Sequence, residues 1–454
     1  MKHKERLFWV FLTVFLLACA VHPVAKVKAI SRNAERYLHI FHEVAAFIQA
    51  DYVESVDDRK LFVGAIRGLL SSLGDPHTRF LDQDEFQEHK DETRGTFGGI
   101  GVEVTYRQGS ILVISPIDDT PAMRAGLLPQ DRIIEIDGKK TKTMNITDAV
   151  RIMRGKIGTR VRIKVLRKGV PELIPFSLER ELVRINYIKS KFLEKEKLGY
   201  IRLSQFMGLK TTAKDFKKRV DAFLKKGAKG LIVDLRMNPG GLLNMANELS
   251  DYFLPAGKVI VSVKGRGGEL IRAFKAKESH PQVENIPMVV LIDKGSASAS
   301  EIFAGAMKDH KRAKILGVTS FGKGSVQNIY SLPYNTGLAL TIQKYYMPSG
   351  ISIHKKGVLP DIVVQPLKPS DLERVYLLRM NKAKFIETFV QKHPGGYSDK
   401  NIRLFLQEVR KQKYNVSEKI AKLFLKREYS LGRKQPAFDL EFDVQLQKAV
   451  QILQ

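Results

Sequence analysis

Met288 to Gln327 reads MVVLIDKGSASASEIFAGAMKDHKRAKILGVTSFGKGSVQ, and the fold turns on how this stretch is read. Its first five residues are apolar and rich in β-branched side chains, which predicts a short buried strand ended by Lys294-Gly295. A helix follows, because Ser298-Ala-Ser-Glu301 has the Ser-x-x-Glu spacing of a capping box with Ser298 at the N-cap. Lys323 then stands between Gly322 and Gly324, with Gln327 four positions later. A strand that delivers a serine to the positive end of a helix, followed by a lysine freed by two glycines, suits acyl transfer.

Working outward, the same order recurs upstream. LGYIRLSQF reads as a strand, TTAKDFKKRVDAFLKKG as a helix, KGLIVDLR as a buried strand, and NPGG turns the chain into the helix LLNMANELSDYFL. KVIVSVKG is a further strand. Two helix N-termini are therefore expected at the same end of one sheet, where α/β folds place their active sites.

The 454 residues call for two to four domains, and 44% hydrophobic content is ample for packed cores. Seventy-six basic against forty-eight acidic residues give a net charge of +28, spread along the whole chain rather than gathered into a patch. The N-terminus argues against nucleic acid as the partner. Lys2, Lys4 and Arg6 precede an apolar run, Leu7 to Ala20, of signal-peptide length, so export to a bacterial cell envelope is expected. Two exits from that run compete: Ala18-Cys19-Ala20 fits ordinary signal cleavage, and Leu16-Leu17-Ala18-Cys19 resembles a lipoprotein box. Cys19 is the sole cysteine, so neither an intramolecular disulfide nor a cysteine metal cluster can form.

Helical spacing runs through YLHIFHEVAAFI and LFVGAIRGLLSSL until Gly74-Asp75-Pro76 breaks it, and His77 in DPHTRF reads as a turn residue. From Thr96 short strands with glycine punctuation take over: GVEV, ILVIS, RIIEIDG and RVRIKVLR, with helical spacing in TPAMRAGL and ITDAVRIMRG. This predicts a small, partly open β-structure with two helices. Arg154, at the end of the second helix, reads as a solvated helix end. Beyond Gln365 the pattern is lysine-rich and helical, clearest in RLFLQEVRKQ and EKIAKLFLKREYSL, and suits packing or dimerisation.

A lysine can act as base only when neutral, which requires burial to lower its pKa. If Lys323 to Gln327 ran as one regular strand, their Cα atoms would stand ~13 Å apart at ~3.3 Å per residue, so a turn through Gly322 to Ser325 is expected. Gln327 would then orient the amine through a neutral hydrogen bond. An oxyanion needs two donors; the N–H of Ala299 is one, and that of Gly240 or Gly241 the other. Gly317 to Lys323 matches the first seven positions of a P-loop, but the eighth is Gly324 and a strand follows, which excludes nucleotide binding.

GGIGVEV with TPAMRAGLLPQDRIIEIDGK resembles a PDZ domain of the bacterial protease-associated type. The resemblance implies a carboxylate-binding loop at Gly99, Ile100, Gly101 and Val102, with a substrate tail added as a strand. Taken with DLRMNPGG, GSASASEI, FGKGSVQ, GLALTIQKYYMPSG and GVLPDI, the chain resembles the C-terminal processing peptidases, the tail-specific serine proteases, from about residue 40 to 366. That implies Ser298 as nucleophile, Lys323 as general base and Gln327 as its orienting partner, without metal or other cofactor. The implied partners are proteins with apolar C-terminal tails, an adaptor or activating peptide at the PDZ domain, the membrane surface through the N-terminus, and a second copy of the chain. A competing reading is an inactive PDZ adaptor for envelope proteins.

The expected architecture is multidomain α+β. Residues 1–29 form a signal peptide or membrane anchor, 30–95 an N-terminal helical region and 96–180 the PDZ domain. Residues 181–366 form an α/β Ser–Lys protease core and 367–454 a C-terminal helical region.

Overall fold

The computed structural model describes residues 32–107, 109–117, 119–167, 169–430 and 438–454. The expected signal or anchor segment, with Cys19, lies outside them. The chain divides into two compact units, Met1–Gly74 and Asp75–Gln454. In the first, helices Arg32–Asp51 and Asp58–Ser71 carry apolar residues at helical spacing, and Asp57 caps the second by accepting the Lys60 N–H at 2.8 Å. Phe41 packs edge-on against Phe62, yet Tyr37, Phe47 and Leu69 stay exposed.

In the second unit, a six-stranded sheet has the order Ile188–Leu193, Leu198–Leu203, Gly230–Asp234, Met288–Ile292, Lys314–Gly317, Ile362–Val363. Its first pair is antiparallel and the rest are parallel. Every residue of Met288–Ile292 is buried, as an apolar run without alternation requires of a strand covered on both faces. Helices Leu209–Lys225, Leu243–Asp251 and Ala299–Asp309 pack into the core on one face. Helix Val444–Leu453 covers the other, with Leu446 and Ala449 against Tyr200, Ile232, Val289 and Leu291. Asp234 pairs with Leu291, so the loops that leave these two strands emerge side by side.

A second sheet is built on the long strand Thr336–Tyr346, which pairs with Arg79–Leu81, Val259–Lys264 and Ser325–Leu332. The PDZ sheet is antiparallel in the order Val102–Arg107, Ser110–Pro116, Arg132–Ile136, Arg160–Leu166, Ile174–Glu179, with helices Pro121–Arg124 and Ile146–Met153. The four strands and two helices marked in the sequence are present, Ile174–Glu179 is a further strand that was not marked, and Val102–Arg107 is an edge. Strands Thr96–Gly99 and Glu181–Arg184 pair as the chain enters and leaves this module.

The C-terminal residues divide. Helices Asp371–Lys382, Phe385–Lys392, Asp399–Lys411 and Glu418–Tyr429 form a bundle with its own core, whereas 438–454 belong to the face of the central sheet. Among the described residues no helix is long and apolar enough to cross a membrane.

Leu446 is fully buried on that face, so Leu446→Ala should cost about 2–5 kcal/mol by lost transfer energy and a residual cavity. Urea unfolding of the full chain, followed by circular dichroism, measures the loss.

Candidate active site

The strand Met288–Ile292 ends at a tight turn whose three serines have separate fates. The Ser296 hydroxyl donates to the Leu235 carbonyl at 2.8 Å, and that of Ser300 to the Asn238 carbonyl at 2.9 Å, both fully buried. These two bonds stitch the turn to the neighbouring loop. Ser298 lines a cavity of about 500 Å³ instead. It precedes helix Ala299–Asp309 as the capping pattern requires, at φ 54° and ψ −114°. That is a backbone region unfavourable to any residue but glycine, at a cost of about 1–3 kcal/mol that the surroundings must hold. Strain of this kind thrusts a side chain out from a strand-to-helix turn.

What holds it is Glu301, which is fully buried. Its carboxylate accepts the Ser298 N–H at 2.8 Å, the Ser320 hydroxyl at 2.5 Å, the Gly322 N–H at 2.7 Å and the Lys323 N–H at 2.8 Å. Burial pushes its pKa up, and these four donors oppose that by favouring the ionised form. Tyr345 adds a second clasp: its hydroxyl lies 3.1 Å from the Ser298 carbonyl oxygen and also donates to that of Lys323.

Lys323 lines the same cavity as Ser298. Its amine forms no hydrogen bond or ion pair among the described residues, and it is not bonded to the Ser298 hydroxyl. Burial pushes the ammonium pKa down; the charge of Asp75 opposes the shift and that of Arg79 adds to it. The reorientation that frees this side chain comes at Gly322, the first residue of the expected Gly322 to Ser325 turn, and is complete by Ser325. Gly322 has φ +93° and sits against the backbone of residues 355–357, Gly324 packs on His354, and Ser325 already begins a strand. A bulge between Val326 and Gln327 shifts the register against Thr341 and Gln343.

Gln327 also lines the cavity, but its amide donates to Ser325 Oγ at 2.9 Å and Thr341 Oγ1 at 3.0 Å rather than meeting Lys323. His77 lies in a turn, as expected, and also faces the site. It lines the cavity with Pro76 and Arg79, and burial followed by the Lys323 charge pushes its pKa down. Asp75 holds this segment, accepting the His77 N–H at 3.0 Å and the Thr78 hydroxyl at 2.7 Å, and Thr78 Oγ1 in turn accepts the Thr341 N–H at 3.1 Å. The motif DPHTRF was visible in the sequence; its pairing with residues some 260 positions downstream was not.

The NPGG turn reaches the serine from the adjacent strand. Gly240 has φ +99°, and a Cβ there would stand 2.5 Å from the Ala297 carbonyl oxygen and 2.8 Å from Ser298 Cβ. Only glycine fits. The Gly240 N–H, however, donates to Asn238 Oδ1 at 2.9 Å, which removes it as an oxyanion donor. The N–H groups of Gly241 and Ala299 form no hydrogen bond among the described residues.

In the PDZ loop, Gly99 closes the strand Thr96–Gly99 and Val102 opens the edge strand. The carbonyls of Ile100 and Gly101 accept the N–H groups of Ala122 and Ile117, both at 2.9 Å, while their own N–H groups form no hydrogen bond among the described residues. Arg154 is no solvated helix end. Its guanidinium lies 4.4 Å over the Phe97 ring and donates to Glu88 at 3.2 Å.

An α/β core interrupted by a PDZ module, with a serine held on a strained strand-to-helix turn, describes a PDZ-bearing serine peptidase. The model of peptidase family S41 matches residues 197–364, a PDZ domain model matches 112–167, and the activating protease CtpB N-terminal domain matches 18–85. The chain is 42% identical over 342 residues to the carboxy-terminal-processing protease of Bartonella bacilliformis, covering 74% of this chain and 77% of that one. It is 35% identical over 371 residues to the carboxy-terminal processing protease CtpA of Bacillus subtilis, covering 80% and 78%. Among solved structures it is similar to the photosystem II D1 C-terminal processing protease, at 29% identity, 72% and 86% coverage and a TM-score of 0.44. The chain belongs to the carboxy-terminal processing proteases of peptidase family S41.

Glu301→Gln keeps the shape but turns an amide NH₂ toward backbone donors. The expected loss is about 2–4 kcal/mol, together with most of the proteolytic activity. Urea unfolding and turnover of an unfolded protein substrate check the two effects.

Proposed function

We propose that this chain is an exported endopeptidase that takes substrate C-terminal tails on its PDZ domain and cleaves peptide bonds by Ser–Lys acyl-enzyme chemistry. One observation carries the reading: a hydroxyl on a strained turn and a desolvated amine with no partner among the described residues open into the same cavity. Ser298 Oγ attacks the scissile carbonyl carbon as its proton passes to Lys323 Nζ. The oxygen that gains charge is met by the N–H groups of Ala299 and Gly241, with the positive end of helix Ala299–Asp309 behind them. Collapse breaks the C–N bond, and the Lys323 ammonium returns the proton to the leaving nitrogen. Water then attacks the acyl-enzyme, with Lys323 again the base, and releases the acid. Gln327 Oε1 accepts no hydrogen bond among the described residues, which leaves it available to the lysine amine.

The apolar side chains of Leu81, Met207, Leu242, Ile302, Val326 and Ile329 in the cavity suit apolar residues near the cleavage point. The N–H groups of Ile100 and Gly101, which form no hydrogen bond among the described residues, lie beside an edge strand and suit a terminal carboxylate and an added strand. An adaptor or activating peptide would use the same groove. The basic, then apolar, N-terminus supports an envelope location facing outside the cytoplasm, beside the membrane surface. Exposed Tyr37, Phe47 and Leu69 in the first unit support association of the chain with itself.

Ser298→Ala and Lys323→Ala should each abolish cleavage of a loosely folded protein with an apolar tail; full activity in either overturns the mechanism. The pH dependence has a definite sign. The active lysine is neutral, so kcat/KM should rise as pH rises through its lowered pKa and fall on acidification, with the midpoint below the ordinary lysine value. A pH–rate profile measures it, and an acid limb absent across the whole range would exclude a titrating lysine base. Tail binding should survive added salt, whereas capture of an acidic polymer by net charge should not.

A further inference from the structure

Where strand Gly230–Asp234 runs toward the NPGG turn lies a largely buried ion network that peptide hydrolysis does not itself require. Asp234, fully buried at the end of its strand, accepts Arg236 Nε at 2.9 Å, Arg236 Nη2 at 2.6 Å and the Tyr200 hydroxyl at 2.8 Å. Arg236 reaches onward to the C-terminal segment. Its Nη1 donates to Asp443 Oδ1 at 2.8 Å and Gln445 Oε1 at 3.0 Å, and its Nη2 to Asp443 Oδ2 at 2.6 Å. All five guanidinium N–H groups thus have acceptors, which fixes both the position and the plane of the group. The acceptors are themselves fixed. Asp443 caps helix Val444–Leu453 by accepting the Leu446 N–H at 3.0 Å, and Gln445 donates to the Val364 carbonyl at 2.7 Å.

Arg236 is where the chain leaves the sheet for the loop that contacts the serine. Two residues on, the loop is anchored by Asn238, which takes bonds from Gly240, Ala297 and Ser300 and gives one to Leu203. Gly240 then lies against Ser298 with no room for a Cβ. A loop gripped at both ends cannot move one without the other. An oxyanion donor displaced by a fraction of an ångström loses much of its effect, because the preorganised geometry is what lowers the barrier.

We propose that Asp443, with Gln445 beside it, is a positioning residue for peptide hydrolysis: it holds Arg236, and through it the 236–241 loop, where the Gly241 N–H meets the oxyanion. The C-terminal segment is then a working part of the protease core. This rests on the assignment of Ser298 as nucleophile and of the Gly241 N–H as a donor.

The test uses the full chain carrying Asp443→Asn, which keeps a good helix cap and the side-chain shape but removes the charge facing Arg236. Three quantities are compared with the unaltered chain: kcat and KM on an apolar-tailed peptide, binding of a peptide aldehyde, and binding of the cleaved product. The aldehyde adds to Ser298 Oγ and leaves an oxyanion where the transition state has one; the product does not. The expected result is a fall in kcat of about tenfold or more with KM little changed. Aldehyde affinity should fall by a similar factor while product affinity stays level. Gln445→Met, which removes one of the three contacts and leaves the cap untouched, should show a smaller loss in the same direction, and it decides the matter if Asp443→Asn does not fold. Unchanged kcat and aldehyde affinity, or an equal loss of product binding, overturns the proposal. Ser298→Ala run alongside separates the two claims, since activity surviving there refutes the nucleophile and not the role of Asp443.

Discussion

The carboxylate of Glu301 is the point on which the site depends. One buried side chain accepts four hydrogen bonds, two of them from the backbone of Ser298 and Lys323, residues that share no strand. Burying a carboxylate is costly, and bonds to a charged acceptor of about 1.5–3 kcal/mol each are of the size needed to offset it. Because the donors come from two separate segments, the site forms only when both are in place. The same carboxylate fixes the strained conformation of Ser298, and Tyr345 ties the carbonyls of Ser298 and Lys323 from the other side. The Lys323 amine has no hydrogen-bond or ion-pair partner among the described residues, as the proposed role of a neutral base would require.

The central sheet supplies the frame for this arrangement. Strands Gly230–Asp234 and Met288–Ile292 run parallel in register, so the two loops leave together at the C-terminal end of the strands. Ser296 and Ser300 then bind the two segments to each other by buried bonds, and the Asn238 amide ties the first of them to the Leu203 carbonyl. The sheet is covered on both faces, and one of those covers is contributed by the last residues of the chain. A segment that reads only as a lysine-rich helical tail thereby becomes part of the protease core.

The PDZ domain is joined differently. Its entry and exit strands pair with each other, and Gly155 donates to the Gly98 carbonyl at 3.0 Å, a backbone approach that leaves no space for a Cβ at Gly98. Arg180 binds the carbonyls of Ile152 and Arg160 and closes the C-terminal end of the PDZ helix. Outside this ribbon, the ion pairs Arg151–Asp84 and Arg154–Glu88 link the PDZ helix to helix Gln83–Arg94. They are half-exposed and worth about 0–1 kcal/mol each, so they bias the placement of the domain more than they lock it.

Much of this was legible in the amino-acid order. Unbroken apolar runs marked the buried strands, Ser-x-x-Glu placed Ser298 at a helix start, and glycine punctuation marked the PDZ strands, because those signals act over a few residues. The site was legible as a set of candidates: Ser298, Lys323, Gln327 and the NPGG turn do share one cavity. What short-range patterns cannot carry is which donor meets which acceptor across the fold. Gly240 and Gly241 are equivalent in sequence, and only the bond from Gly240 to Asn238 separates them. Gln327 bonds to hydroxyls brought beside it by a register shift, His77 enters the cavity through a strand paired to Ala339, and Glu301 gathers four donors where a helix cap needs one. The sequence by itself determined most of the elements, their order and the candidate residues for acyl transfer, since each follows from local sterics and burial. The tertiary structure alone decided their partners, because a hydrogen bond depends on tenths of an ångström between residues that only the packed core brings together.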